Sequence, residues 1–179
     1  MSMLPPKLKE LADSLEETRK ETFGMVSGLS ERDFAWSPAG EWSIAVILEH
    51  LILAETGTSK VIRKMLKENA GTLPPYPADD SVLKVREIPP PSGKVMAPEA
   101  AQPKGPARGK DAILASLVEC RVRMLESLAM LAGADPRGAE FPHPRFGAIN
   151  LYEWPVLTIR SHERDHQLQI AGILRALGT

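Results

Sequence analysis

The chain has 179 residues, of which 43% are hydrophobic and 25% are charged, and its formal net charge at pH 7 is −1. This length is typical of one domain, so we expect a single domain over residues 1–179. The near-neutral charge argues against a nucleic-acid-binding surface, which is usually basic. The apolar runs are too short to cross a membrane and the charged N-terminal stretch lacks a signal-peptide pattern, so we expect a cytoplasmic protein without membrane contact.

Two helices are predicted in the first 70 residues. Apolar residues and threonines recur at steps of three and four from Leu4 to Leu29, which predicts a helix with one buried face. Pro5 and Pro6 suit its first turn. The charged run Glu16–Glu21 in this helix is typical of a solvated face. A second helix is predicted from Ser43 to Asn69, with the Ser43 side chain as its N-cap.

Residues 71–109 predict a long crossover loop between the second and third predicted helices. Nine of the 16 prolines fall in this stretch. Proline removes a backbone donor and blocks helix continuation, so the loop should contain only local turns or extended pieces. A loop of this length in a compact domain is usually functional or disordered.

Two further helices complete the predicted fold. The third runs from Lys110 to Leu131, and the fourth from Asn150 to about Leu177. Asn150 and Glu153 have the spacing of a capping box at the start of the fourth helix. No segment shows convincing strand alternation. Four helices with one long connection predict an all-α four-helix bundle.

The histidines predict a metal site. His162 and His166 lie four residues apart on the apolar stripe of the fourth predicted helix, and at that spacing both imidazoles can reach one ion. His50 lies on the inward stripe of the second predicted helix, so side-by-side packing of the two helices would bring it to the same place. The alternative is three hydrogen-bonded core histidines.

The residues His162 to His166 also spell H-E-x-x-H, the zinc-binding pattern of metalloproteases. A protease of that type needs a third ligand after this pattern. None of the 13 residues after His166 is Asp, Glu or His, and we predict no substrate-binding strand. A di-iron site would need a second Glu-x-x-His pair, but Ile47 stands three residues before His50. A site for one metal ion fits better.

Three stretches together resemble the DinB-like superfamily, also called DinB/YfiT-like metalloenzymes. They are EWSIAVILEHLILAE around His50, FPHPRFGAINLYEW before the last helix, and HERDHQLQI with His162, His166 and Gln169. The resemblance covers nearly the whole chain. It implies a four-helix bundle, often dimeric, with a divalent metal on three histidines. Characterised members include thiol-dependent S-transferases that use bacillithiol, mycothiol or glutathione, a maleylpyruvate isomerase among them.

We therefore expect one divalent metal ion per chain on His50, His162 and His166. Imidazole ligands suit Zn, Cu, Fe and Ni, and we expect Zn²⁺ or Ni²⁺, with Fe²⁺ or Mn²⁺ as alternatives. The expected function is thiol S-transfer, in which the metal activates a low-molecular-weight thiol as the small-molecule substrate. A metal-dependent hydrolase, or a metal-binding stress or interaction protein without turnover, is the alternative. A homodimer is a further expectation.

Three other residues are candidates for catalytic roles. Glu163 points about 100° away from His162 on a helix, which favours a carboxylate on the surface or beside the ligands over a general base. Gln169 is expected to line the pocket or to join a polar network. His143, between two prolines, is a proton-shuttle candidate, although a loop-ordering hydrogen bond is favoured. Cys120, the single cysteine, is expected to be a buried, unreactive thiol.

Overall fold

The computed structural model describes residues 4–87, 97, 99–105 and 107–178. The α-helices are α1 (Pro6–Val26), α2 (Glu31–Ala35), α3 (Ile44–Glu68), α4 (Lys110–Leu131), α5 (Glu153–Pro155) and α6 (His162–Leu177). A π-helical segment, Val156–Ser161, joins α5 to α6. The strands are β1 (Glu140–His143) and β2 (Gly147–Asn150), and short 3₁₀ turns lie at Asp80–Val82, Glu99–Ala101 and Pro136–Gly138.

The long helices form the predicted four-helix bundle. Its members are α1, α3, α4 and the continuous stretch from α5 through α6. The sequence placed all four within a few residues of their observed bounds. The Ser43 hydroxyl accepts from the Val46 amide at 3.3 Å and starts α3 as expected. Because the capping residues and the apolar stripes agree, local sequence largely determines where these helices lie.

The capping box predicted at the start of the last helix is present. The Asn150 side-chain oxygen accepts from the Glu153 amide at 3.0 Å, and the Glu153 carboxylate accepts from the Asn150 amide at 3.1 Å. Glu153 also pairs with Arg86 of the crossover, with 2.7 Å between Nε and Oε1. The same carboxylate therefore caps the helix and ties the loop to it.

Two apolar clusters fill the bundle on either side of a polar layer. One cluster contains Leu8, Leu15, Ile62, Met124, Leu128 and Ile159. The other contains Val26, Ile47, Leu51, Leu117, Ile170 and Ile173. On each long helix the buried charged residues come between the two clusters: Arg19 on α1, Glu55 on α3, Arg121 on α4 and Glu163 on α6. The charged run Glu16–Glu21 is therefore not wholly solvated, because Arg19 points inward.

The expectation of no strand is wrong, because β1 and β2 form an antiparallel hairpin. Phe141 pairs with Ile149 and His143 pairs with Gly147. Each strand has only four residues, too few to show a convincing alternation, and Pro142 lies within β1. The hairpin packs against the start of the last helix, where the Trp154 indole donates to the Phe141 carbonyl at 3.3 Å.

The crossover contains only short 3₁₀ turns in the parts that the structure describes, as its prolines predict. Residues 88–96, 98 and 106 of the predicted loop lie outside the described residues. Polar contacts tie the rest of the loop to the bundle. The Asp80 carboxylate accepts from the Lys7 amide at 2.8 Å, and Arg108 pairs with Glu49 at 2.9 Å. Among the described helices, none has the length and apolarity that a membrane crossing requires.

Candidate metal centre

Three histidines from two helices meet inside the bundle, and we call them the histidine cluster: His50, His162 and His166. His50 comes from α3, whereas His162 begins α6 and His166 follows one turn later. The Nε2 atom of His162 lies 3.0 Å from the Nε2 atoms of both His50 and His166. One ligand nitrogen from each residue lies within 4.8 Å of the others. These are the three residues that the sequence singled out as ligands.

The other ring nitrogen of each histidine faces an acceptor. The Nδ1 atom of His50 lies 2.6 Å from the Ala101 carbonyl oxygen in the crossover. The Nδ1 atom of His166 lies 2.9 Å from the side-chain oxygen of Gln169. A backbone hydrogen bond with Thr158 acts to raise the pKa of His162.

The acceptors at Ala101 and Gln169 favour the tautomer of His50 and His166 that carries its proton on Nδ1. A neutral imidazole carries one proton, so a ring that donates from Nδ1 presents a lone pair at Nε2. With the same tautomer in His162, its Nε2 lone pair faces those of His50 and His166, each 3.0 Å away. Such lone pairs repel unless a cation lies between them. The arrangement therefore suits a divalent metal ion, which imidazole nitrogens bind through this lone pair.

Burial keeps the histidine cluster neutral. It lowers the pKa of His162 to about 3, helped by the positive charge that His166 and His50 would carry. Burial also lowers the pKa of His50, against the hydrogen bond to the Ala101 carbonyl. In His166, burial and His50 lower the pKa, while the hydrogen bond to Gln169 opposes them. Metal ligands must be deprotonated, so these pKa values favour metal binding at neutral pH.

Comparison with known proteins identifies the family. The family model of the DinB superfamily matches residues 14–170. The chain belongs to the DinB superfamily. The uncharacterized protein YuaE of Bacillus subtilis (strain 168) is 28% identical over 158 residues, covering 88% of this chain and 93% of YuaE. The crystal structure of TT2238, a four-helix bundle protein, matches with a TM-score of 0.62 at 22% identity, covering 92% of this chain and 98% of TT2238. It supports the four-helix-bundle fold.

The π-helical segment before His162 is a feature of this DinB-superfamily chain that the sequence did not reveal. Its Thr158 hydroxyl donates to the Trp154 carbonyl at 2.7 Å and lies 2.7 Å from the Thr58 hydroxyl on α3. Single π-helical turns inside α-helices are frequent at functional sites. Here the segment ends directly before the first histidine of α6, so its wider turn helps to set the direction of that side chain.

Trp42 forms one wall of the histidine cluster. Its ring centroid lies 5.2 Å from that of His50, and it stacks on His166 at 6.4 Å with only 15° between the planes. Its position beside Ser43, the N-cap of α3, places the indole over the cluster.

Glu163 is not the surface carboxylate that was one of the sequence expectations. Its exposed fraction is 1%, and it pairs with Arg19 and Arg121. Burial raises the pKa of Glu163, but Arg19, Arg121 and the Thr22 hydroxyl outweigh it and hold the pKa below its usual value. A carboxylate that is held ionised by two guanidinium groups is a poor general base.

Of the other candidate residues, Gln169 contacts the histidine cluster and His143 does not. The side-chain oxygen of Gln169 accepts from Nδ1 of His166. His143 lies on the hairpin, where its Nδ1 accepts from the Arg145 amide at 3.1 Å; burial and Arg145 lower its pKa to about 4. This is the loop-ordering hydrogen bond rather than a contact with the histidine cluster. Burial, and next to it the Glu55 carboxylate, raises the pKa of Cys120 to about 12, so the thiol stays protonated.

Proposed function

We propose that this protein is a metal-dependent enzyme that holds one divalent ion on His50, His162 and His166. The observation that carries the proposal is the convergence of the three Nε2 atoms, with the Nδ1 atoms of His50 and His166 facing acceptors on the other side. Carboxylates and thiolates are absent from this donor set among the described residues. Imidazole ligands suit Zn, Cu, Fe and Ni, and of these Zn²⁺ or Ni²⁺ is the proposed ion, with Fe²⁺ or Mn²⁺ as alternatives.

The surrounding residues prepare the histidine cluster for this role. The Ala101 carbonyl and the Gln169 side chain hold two of the rings in the tautomer that presents Nε2, which is the usual task of groups behind metal-bound histidines. Trp42 covers one side with an apolar ring. A divalent ion on three neutral imidazoles keeps its full charge, and it would lower the pKa of a bound thiol or water.

The proposed reaction class is transfer of a low-molecular-weight thiol to an electrophile. The chain's own thiol does not serve as the nucleophile, because Cys120 is buried and its pKa is raised to about 12. The sulfur nucleophile would therefore come from a small-molecule substrate. In such a transfer the thiolate forms a carbon–sulfur bond, the leaving group departs with its bonding electron pair, and the thiol proton passes to solvent.

A thiol and electrophile panel tests this function. Wild-type protein loaded with Zn²⁺ or Ni²⁺ is given glutathione, bacillithiol or mycothiol together with a chromogenic electrophile, and product formation is followed by absorbance. We expect thiol-dependent turnover that His162→Ala abolishes. His143→Ala is the matched control, since it removes a histidine outside the cluster, and should keep its activity.

The same panel separates the alternatives. Turnover of ester or amide substrates without added thiol would replace the transferase proposal with a hydrolase. A tightly bound metal without turnover on any substrate would point to a metal-binding protein without catalysis. Turnover that survives in His162→Ala would contradict a metal-dependent reaction at this cluster.

A further inference from the structure

Four charged residues form a closed ring of ion pairs next to the histidine cluster. We call Arg19, Glu55, Arg121 and Glu163 the ion-pair ring. Each of the four bundle helices contributes one member, on α1, α3, α4 and α6 respectively. The exposed fraction of these side chains is at most 6%. Burying four charges costs desolvation free energy, so a gain in stability alone does not explain why the ring lies in the middle of the bundle.

Every guanidinium in the ion-pair ring contacts both carboxylates. Arg19 lies 2.6 Å from Glu55 and 2.8 Å from Glu163. Arg121 likewise lies 2.6 Å from Glu55 and 3.0 Å from Glu163. Two positive and two negative charges cancel, so the ring carries no net charge. Removal of any one member leaves an unbalanced charge in the interior.

Further hydrogen bonds complete the ion-pair ring. Arg19 donates to the Leu117 carbonyl of α4 at 2.6 Å, and Arg121 donates to the Leu15 carbonyl of α1. The Thr22 hydroxyl donates to Glu163 at 2.8 Å. Within the described part of the chain, no buried side-chain nitrogen or oxygen lacks a hydrogen-bond partner. Each buried side-chain nitrogen and oxygen of the ring therefore has at least one hydrogen-bond partner.

The ring and the histidine cluster share two helices. Glu163 directly follows His162 on α6, and Glu55 follows His50 by five residues on α3, about 7.5 Å along the helix axis. The carboxylates thus come from the two helices that carry the histidines. The arginines come from α1 and α4, which contribute none of the three histidines. Each arginine binds one carboxylate from α3 and one from α6, and so links the two histidine-bearing helices.

We propose that the ion-pair ring fixes α3 relative to α6 and thereby sets the distance of His50 from the two histidines of α6. This inference rests on the proposed metal centre. Glu163 is the main positioning residue, because successive side chains on a helix are about 100° apart and a fixed Glu163 fixes the direction of its neighbour His162. Geometry of this kind controls metal affinity, since ligands must be held close to the productive arrangement.

Cobalt(II) binding tests the proposal, with the visible spectrum of the bound ion as a reading of ligand geometry. Glu163→Gln keeps the shape of the side chain and removes its charge. Leu128→Ala is the control: Leu128 is fully buried in the first apolar cluster, seven residues beyond Arg121. Both variants lose stability, and binding is measured at a temperature where each is folded. We expect Glu163→Gln to weaken Co²⁺ binding at least tenfold with an altered spectrum, and Leu128→Ala to stay within twofold of wild type.

A milder variant keeps the test decisive if Glu163→Gln does not fold. Arg19→Lys keeps the positive charge, but a single ammonium group lacks the planar fork that binds two carboxylates. We expect at least threefold weaker Co²⁺ binding. Wild-type affinity and spectrum in the folded ring variants, or equal weakening in Leu128→Ala, would overturn the positioning role. A wild-type protein that binds no Co²⁺ would overturn the proposed metal centre, and the inference with it.

Discussion

The ion-pair ring and the histidine cluster lie side by side in one bundle but are built on opposite principles. In the ring, each charged group faces an opposite charge and each buried polar atom has a hydrogen-bond partner. In the cluster, three neutral rings turn the same kind of atom, a lone-pair nitrogen, toward one point. The ring balances its charges within the protein, whereas the cluster presents an arrangement of imidazoles that suits a cation.

Stability should differ most between a variant that removes one member of the ion-pair ring and a variant that removes one member of the histidine cluster. Glu163→Ala leaves two buried arginines with one carboxylate, so we expect the free energy of unfolding of the metal-free protein to fall by about 3–5 kcal/mol. His162→Ala removes a neutral side chain and leaves no unbalanced charge, so the loss should stay within about 2 kcal/mol. Urea unfolding in the presence of a chelator measures both. Equal losses of unfolding free energy in the two variants would contradict the distinction between the ion-pair ring and the histidine cluster.

A divalent metal should stabilise the protein through the histidine cluster alone. A ligand that binds only the folded state at a hundred times its Kd adds about 2.7 kcal/mol to the free energy of unfolding. We expect this gain with Zn²⁺ for wild type and none for His162→Ala. The matched histidine variant His143→Ala should gain as much as wild type. Thermal unfolding with and without Zn²⁺ measures this gain in stability. If Zn²⁺ stabilised His162→Ala as much as wild type, the metal would bind at another site.

The pH dependence of stability should separate the two groups by their pH windows. The folded-state pKa values of the histidine cluster lie below the ordinary value of 6.5, so below pH 6.5 the unfolded chain binds more protons. Stability of the metal-free protein therefore falls as the pH drops from 6.5 toward 5. The slope contributed by each histidine is at most about 1.4 kcal/mol per pH unit. His162→Ala should flatten this slope in chelator-treated protein.

Glu163 should act in a lower pH window. Its pKa in the folded protein lies below the ordinary value of 4.5, so its contribution to stability is present above pH 4.5 and is lost as the pH falls through the folded value. Glu163→Gln should therefore leave the slope between pH 6.5 and 5 unchanged. If stability between pH 6.5 and 5 depended less on pH in Glu163→Gln and equally in His162→Ala and wild type, the pH dependence in this range would belong to Glu163 and not to the histidine.

A smaller effect is expected from the hydrogen bond behind His166. Gln169→Ala removes the acceptor of the His166 Nδ1 proton, and loss of such a partner typically weakens metal binding ten- to a hundredfold. We expect the low end, about tenfold, because a water molecule can replace the amide at this half-buried position. Leu168→Ala is the control on the adjacent, 74% exposed residue. Competition with a chromophoric chelator measures both affinities, and equal values would exclude this role.

The smallest effect should come from an ion pair on the surface. Lys9 and Asp13 lie 2.5 Å apart, but their side chains are 64% and 63% exposed. Water screens such a pair, so Asp13→Asn should change the free energy of unfolding by less than about 0.5 kcal/mol. Urea unfolding checks this value beside Glu163→Ala. A loss comparable with that of the ring variant would mean that burial is not what gives the ion-pair ring its importance.

The sequence predicted the helices and the histidines because both leave local patterns. Apolar spacing and capping residues mark α1, α3, α4 and α6, and a four-residue spacing marks His162 and His166. The hairpin was not predicted because its strands are only four residues long and one of them contains Pro142. The π-helical segment was not predicted because no residue pattern of this kind marks it in the sequence.

The ion-pair ring was not predicted because its members are distant from one another in sequence. Arg19 and Glu163 are 144 positions apart, and each stands among other charged residues that do lie on the surface. One signal was available: Thr18 and Thr22 belong to the inward stripe of α1 and flank Arg19. A charged residue next to an inward polar stripe is a candidate for burial, although its partners appear only once the helices are packed.

The most direct test of the three-histidine centre is the metal content of protein purified without a chelator or a histidine tag. Elemental mass spectrometry is applied to wild type and His50→Ala, the variant that removes the only α3 member of the histidine cluster. We predict about one divalent ion per chain in wild type and its loss in the variant. Wild-type protein that stays metal-free after incubation with Zn²⁺, Ni²⁺, Fe²⁺ or Mn²⁺, or a variant that keeps its metal, would contradict the account.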